Sequence, residues 1–182
     1  MGIPNSVPVL TIPGLWNSGP AHWHTRWEAT NPSFRRIRQQ DWEMPRCSDW
    51  ITELDKALLE TGLDVVLAAH SAGCLLVAHW SALNPQRKAK GALLVAPPAR
   101  FPPGPSGFLP VPLHPLPFPS ILVASGNDEY ATIEQSRQFA DVWGSRFVSV
   151  GMAGHINSDS GLEDWPVGFA LLDELRGATA KV

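Results

Sequence analysis

Asp64-Val65-Val66-Leu67-Ala68-Ala69-His70-Ser71-Ala72-Gly73-Cys74-Leu75-Leu76-Val77-Ala78 is the stretch on which the reading of this chain turns. An apolar, β-branched run of strand length ends in small-x-Ser-x-Gly, and a helix-forming run begins with no polar loop between them. A strand that turns at once into a helix holds the turn residue in a strained conformation, and its neighbours must be small or the two backbones collide. Ala69 and Gly73 meet that need, Ala69 standing where the G-x-S-x-G pattern has its first glycine. Such an elbow lifts the Ser71 hydroxyl above the end of a sheet, while the free N–H groups opening the helix at Ala72 point at the same space. The alternative is an ordinary strand-to-helix turn.

Around that stretch, the 182 residues suffice for one α/β domain, read as spanning 1–182, with little beyond a minimal scaffold. Charged residues make up only 17% and the formal net charge is -3, which argues against a nucleic-acid partner and for a small-molecule or peptide substrate. Cys47 and Cys74 lack the spacing of a zinc site or a redox pair and read as free thiols of a reducing compartment. With no signal-peptide pattern and no apolar run of spanning length, the expectation is a cytoplasmic protein with no membrane association. Met1-Gly2-Ile3-Pro4-Asn5-Ser6 fits the loose myristoylation pattern, but anchoring would need a second signal.

In chain order, Val7 to Ile12 reads as the first strand of a parallel sheet, and Pro13 to Gly19 as the loop at its carboxyl end, where open α/β sheets build their sites. Gly14 permits close approach of backbone to a ligand, so the N–H of Leu15, ahead of that of Trp16, is a candidate oxyanion donor beside that of Ala72. Pro20 to Ala29 reads as a helix with Trp23 and Trp27 on one face. His22 and His24 at i, i+2 point to different faces, which argues against a metal pair. Phe34 to Gln40 reads as an edge strand whose three arginines form a solvated face. Ser48 is the expected cap of an amphipathic helix to about Glu60, with Gly62 as its stop.

Gly91 to Ala96, Ile121 to Ser125 and Phe147 to Val150 complete a set of about six strands, mostly parallel because helices intervene. Thr132 and Gln135 spell a capping box for a helix to about Val142, and Asp164 with Pro166 opens a terminal helix. Between Pro97 and Pro119 lie ten of the 18 prolines, so little regular structure is expected there. The segment reads either as a rudimentary lid carrying Phe101, Phe108, Leu109 and His114, or as a rigid surface excursion.

A serine hydroxyl needs a base, and the base needs a carboxylate to orient it. Asp128 lies just past one strand end and His155 just past the next, each in a glycine-containing loop. The order Ser71, Asp128, His155 is that of α/β-hydrolases and differs from that of chymotrypsin or subtilisin. His70 reads as packing or pocket lining, and His79 as a satisfied helix histidine. Asp141, inside a helix, is a poorer third member than Asp128.

Val66 to Cys74, Ser125-Gly126-Asn127-Asp128-Glu129-Tyr130 and Gly154-His155-Ile156-Asn157 together resemble the three catalytic blocks of the retinoblastoma-binding-protein-nine type of small serine hydrolases. Ser18-Gly19-Pro20-Ala21-His22-Trp23 and Gly161-Leu162-Glu163-Asp164-Trp165-Pro166 are similar to bacterial members. The resemblance implies a compact α/β-hydrolase fold without a large cap and with Ser71, Asp128 and His155 as its triad. Members often carry proline after the acid, where this chain has Glu129.

The expectation is a serine hydrolase acting on a small ester, less readily an amide, with no metal and no cofactor. Trp16, Trp23, His70, Phe101 and Phe108 are its candidate pocket residues. A catalytically idle scaffold that binds a protein partner, its identity unspecified, is the alternative from another class, and a lyase using the same triad is a third.

Overall fold

The computed structural model describes residues 7–177, so the amino-terminal pattern at residues 1–6 lies outside it. Six strands, β1 (Val9–Ile12), β2 (Phe34–Arg36), β3 (Val66–His70), β4 (Gly91–Val95), β5 (Ser120–Ala124) and β6 (Arg146–Ser149), form one sheet in the order β2-β1-β3-β4-β5-β6. Every pairing is parallel. The helices are α1 (Trp23–Thr30), α2 (Cys47–Thr61), α3 (Ala72–Leu83), α4 (Ile133–Trp143) and α5 (Pro166–Arg176).

Central strands buried on both faces need apolar residues at every position, and alternate positions feed two separate cores. Leu67 and Ala69 of β3 and Leu94 of β4 join one core with α2, α3 and α4. Val66, Ala68, Leu93 and Val95 join the other with Trp23 and Trp27 of α1 and Leu172 of α5. Helices therefore cover both sides, and the carboxyl ends of the strands are left as an open rim.

Several local expectations are corrected by tertiary contacts. β2 is only three residues long; Ile37, just past it, is buried and still donates its N–H to the Thr11 carbonyl of β1 at 3.0 Å. Arg36 is not part of a solvated face: it pairs with Glu28 and donates to the Ser18 carbonyl and the Thr25 hydroxyl. Helix α2 starts before Ser48, with Arg46 as its cap, since residues 45–47 exchange backbone hydrogen bonds with Ser106. The Thr132–Gln135 capping box forms as read, and α5 begins with Pro166 at its first turn.

The proline-rich segment 97–119 contains neither helix nor strand, and it is held down along most of its length. Phe108, Val111, Leu116 and Phe118 are buried in the core shared with α2, α3 and α4. His79 Nε2 donates to the Phe108 carbonyl at 3.0 Å, so it is a satisfied helix histidine. Only the start of the segment, Pro98 to Pro102, reaches the rim of the sheet. Leu109 and His114, named above with the lid, are not among the residues lining that rim cavity.

The crossing of α3 over β1 depends on Gly73. A β-carbon there would overlap the Ile12 carbonyl oxygen and lie 2.9 Å from that of Pro13, both backbone atoms that cannot step aside. Gly73→Ala is expected to destabilise the fold by about 3 kcal/mol, the upper range for overpacking. A shift in the urea midpoint measures it, and an unchanged midpoint would show that α3 can slide.

Candidate active site

At the carboxyl end of β3, Ser71 has φ 55° and ψ -124°, the strained turn that the small neighbours were read to permit. The strain is held from outside: the Ser71 N–H donates to the Val95 carbonyl at 2.9 Å, fixing the elbow to β4. The loop after β5 carries Asp128, and the loop after β6 carries His155. The Ser71 hydroxyl lies 2.8 Å from His155 Nε2, and His155 Nδ1 lies 3.0 and 2.9 Å from the two Asp128 carboxylate oxygens.

The carboxylate fixes the tautomer, because an ionised Asp only accepts. Nδ1 therefore carries the hydrogen, and Nε2 presents its lone pair to the serine. A row of this kind can carry a proton from Ser71 to His155 while Asp128 holds the imidazole. Asp128 Oδ1 also accepts the Tyr130 N–H at 2.9 Å, so the turn itself orients the carboxylate.

The two loops are clasped together by residues that sequence reading missed. Asn127 Oδ1 accepts the Gly154 N–H at 2.8 Å and the Ser125 hydroxyl at 2.9 Å, and Ser125 Oγ accepts the Ala153 N–H at 2.8 Å. Asn127 sits inside the quoted acid block, but a polar residue in a glycine turn gives no sign of its partner across the sheet.

Trp23 and Phe108 do not line the pocket. Trp23 is buried between Trp27 and Trp165, and its Nε1 donates to the Ile156 carbonyl at 2.9 Å. Phe108 is buried edge-on to Trp50. Each follows from which side of its backbone faces a core, and aromatic composition does not report that. His70 Nε2 donates to the His155 carbonyl at 2.9 Å, so His70 and Trp23 hold consecutive carbonyls of the loop bearing His155.

The first loop runs against the elbow because residue 14 is glycine. A β-carbon on it would lie 2.7 Å from Ser71 Cβ and 3.2 Å from the Ala72 nitrogen. The Trp16 N–H is taken by the Trp42 carbonyl at 2.7 Å. Among the described residues, neither the Leu15 nor the Ala72 N–H has a hydrogen-bond partner.

These groups open into a cavity of about 370 Å³. Leu15, Trp16, Pro98, Phe101 and Pro102 supply its apolar wall, and His22, His70, Tyr130, Asn157 and Asp159 its polar side. The Tyr130 ring stands edge-on to that of His155, with centroids 4.6 Å apart. Among the described residues, no group of three or more His, Cys, Asp or Glu is placed to hold a metal ion.

A parallel sheet with helices on both faces and a strained serine elbow after its third strand defines the α/β-hydrolase class. Within it, the chain belongs to the serine hydrolase family, whose model matches residues 9–174. It is similar to a YdeN-like hydrolase from Pectobacterium atrosepticum, with TM-score 0.86 and 30% identity over 95% of this chain and 92% of that one. The ydeN gene product of B. subtilis shares the fold at TM-score 0.72 and 18% identity, covering 93% of this chain and 98% of its own. So does carboxylesterase CesB from Bacillus subtilis, at TM-score 0.66 and 13% identity, covering 100% and 86%. No curated protein matches the chain.

Proposed function

We propose that this chain is a carboxylesterase-type serine hydrolase acting on small esters without a metal or cofactor, and that its motif blocks place it with the retinoblastoma-binding-protein-nine type. The observation that carries the reading is the continuous row Ser71–His155–Asp128, at 2.8 Å and then 2.9 Å. Ser71 attacks the ester carbonyl carbon as His155 Nε2 takes its proton. The N–H groups of Leu15 and Ala72 receive the oxyanion, and His155 returns the proton to the leaving alcohol. Water then attacks the acyl-serine by the same route, releasing the acid and restoring the hydroxyl. The apolar wall formed by Leu15, Trp16 and Phe101 suits a short acyl chain.

The free, buried state of Cys47 and Cys74 supports a reducing, cytoplasmic setting. Burial pushes the Cys47 thiol up to about 12 and raises that of Cys74 as well, so both are inert. No helix among the described residues is long and apolar enough to cross a membrane.

The test is hydrolysis of p-nitrophenyl esters of increasing acyl length, in the presence of a chelator, by wild type and Ser71→Ala. Turnover falling at least roughly 10⁴-fold in the variant is expected. Equal turnover in both proteins would overturn the nucleophile assignment, and no turnover in either would favour the scaffold reading.

A further inference from the structure

The Leu15 N–H belongs to a peptide unit that is steered from outside the cavity. Such a unit is rigid and planar, so the Gly14 carbonyl and the Leu15 N–H rotate together, pointing opposite ways. The Asn17 N–H donates to that Gly14 carbonyl at 3.3 Å and closes a turn over residues 14–17. Trp16 and Asn17 have φ 60° and 63°, left-handed values that favour glycine, and such a pair persists only where its surroundings hold it.

The hold comes from Arg36, the last residue of β2. Its Nη1 donates to Asn17 Oδ1 at 3.1 Å and to the Ser18 carbonyl at 2.8 Å. Its Nη2 donates to Thr25 Oγ1 at 2.6 Å, and the Thr25 hydroxyl donates in turn to the Ser18 carbonyl at 3.1 Å. On the far side Nε donates to Glu28 Oε1 at 3.0 Å, Nη2 lies 2.9 Å from Glu28 Oε2, and the Thr11 hydroxyl also donates to Glu28 Oε1. One guanidinium thus ties the turn to β1, β2 and α1, with a planar fork that the single nitrogen of a lysine cannot reproduce. Arg36 itself is not among the residues lining the cavity.

We propose that Arg36 is a positioning residue for ester hydrolysis: by clamping Asn17 it fixes the Gly14–Leu15 peptide, and with it the aim of the Leu15 N–H at the oxyanion. This rests on the esterase reading above, with Leu15 as one of its oxyanion donors. Negative charge reaches that oxygen only as Ser71 attacks, so a donor turned aside loses transition-state stabilisation and leaves substrate binding in place.

The test is Arg36→Lys, which keeps a cation for Glu28 but cannot span Asn17, Ser18 and Thr25 together. Hydrolysis of p-nitrophenyl acetate is measured beside inhibition by a trifluoromethyl alkyl ketone, with a thermal melt to establish the folded fraction. On the ketone, Ser71 Oγ bonds to the carbonyl carbon, its proton passes to His155 Nε2, and the carbonyl oxygen becomes the oxyanion with no group leaving. In folded Arg36→Lys, kcat is expected to fall between roughly tenfold and 10²-fold while KM moves less than about threefold. The inhibition constant of the ketone should rise by the same factor as kcat/KM falls, a correspondence that a merely loosened fold does not produce.

An unchanged kcat in folded Arg36→Lys, or a raised KM with the ketone bound as tightly as before, would overturn the assignment while leaving the esterase reading intact. Should Arg36→Lys fail to fold, Thr25→Val decides: it removes one hydroxyl of the clamp on α1, and a parallel loss of roughly fivefold in kcat and in ketone affinity is expected. Both unchanged in Thr25→Val would overturn the assignment. A wild type that neither hydrolyses the ester nor binds the ketone would overturn the esterase reading and this inference with it.

Discussion

Asp128→Asn is expected to lower kcat for ester hydrolysis by roughly 10⁴-fold while leaving the fold intact. The reason lies in the second bond of the carboxylate. Oδ1 is held by the Tyr130 N–H at 2.9 Å, and an asparagine keeps that bond by placing its own oxygen there. Its amide nitrogen then occupies the position of Oδ2, 2.9 Å from His155 Nδ1. An amide N–H₂ can only donate, so it opposes the hydrogen on Nδ1, leaves only the 3.0 Å contact with Oδ1 to hold it, and favours the tautomer with the hydrogen on Nε2, which lacks the lone pair that would accept the Ser71 proton. Steady-state kinetics beside a thermal melt separates this from unfolding. A loss smaller than about tenfold, against the size typical of a lost orienting carboxylate, would remove Asp128 from the row.

The second large effect is acid lability, which arises from His22, His24 and His70. All three are buried, with pKa values held below the ordinary histidine range; burial is the leading cause in each, followed by the charge of a neighbouring histidine or Arg36. A histidine depressed in this way stays neutral in the folded protein, while the unfolded chain binds a proton below its ordinary value of 6.5. Stability present above that pH is therefore lost as the pH falls toward the folded value, at a limiting slope of about 1.4 kcal/mol per pH unit for each ring.

For His22, held down to about 3, the loss between pH 6.5 and roughly pH 4.5 is about 2 kcal/mol, and His24 and His70 add to it. Protonation would also break specific bonds. A hydrogen on His22 Nδ1 would face the His24 N–H, donor against donor, and release the cap of α1. Urea midpoints measured from pH 7 down to about pH 4.5 should fall steadily, enough to unfold a domain of ordinary stability. A flat midpoint over that range would show that the cluster accepts charge.

What the sequence made legible was whatever is decided locally. The elbow is such a case: Ala69, Ser71 and Gly73 carry their own steric argument, and the strained Ser71 backbone follows from it. The Thr132–Gln135 box and the Pro166 helix start are equally local. Asp128 and His155 were legible because each follows a clear strand, and parallel topology brings successive strand ends to one rim. Leu15 was favoured over Trp16 as a free donor, and the Trp42 carbonyl, remote in sequence, takes the Trp16 N–H.

What stayed hidden depends on neighbours far along the chain. Trp23 and Phe108 were read as pocket residues because they sit in or beside the right loops; each instead turns into a core whose other half comes from α5 or from α2. Ser48 has the chemistry of a helix cap, but the strand-like contact of residues 45–47 with Ser106 starts α2 earlier. The i, i+2 spacing of His22 and His24 argues against a metal pair and says nothing of their packing. Their association with His70 and His155 exists only once β1, β3 and β6 lie in one sheet.

The most direct measurement on the central claim is intact-mass analysis after reaction with a fluorophosphonate, which labels only a serine whose hydroxyl has been activated. One adduct per chain on wild type, mapped to Ser71 and absent from Ser71→Ala, is the result the row Ser71–His155–Asp128 predicts. Equal labelling of both proteins, or labelling of neither, would contradict it.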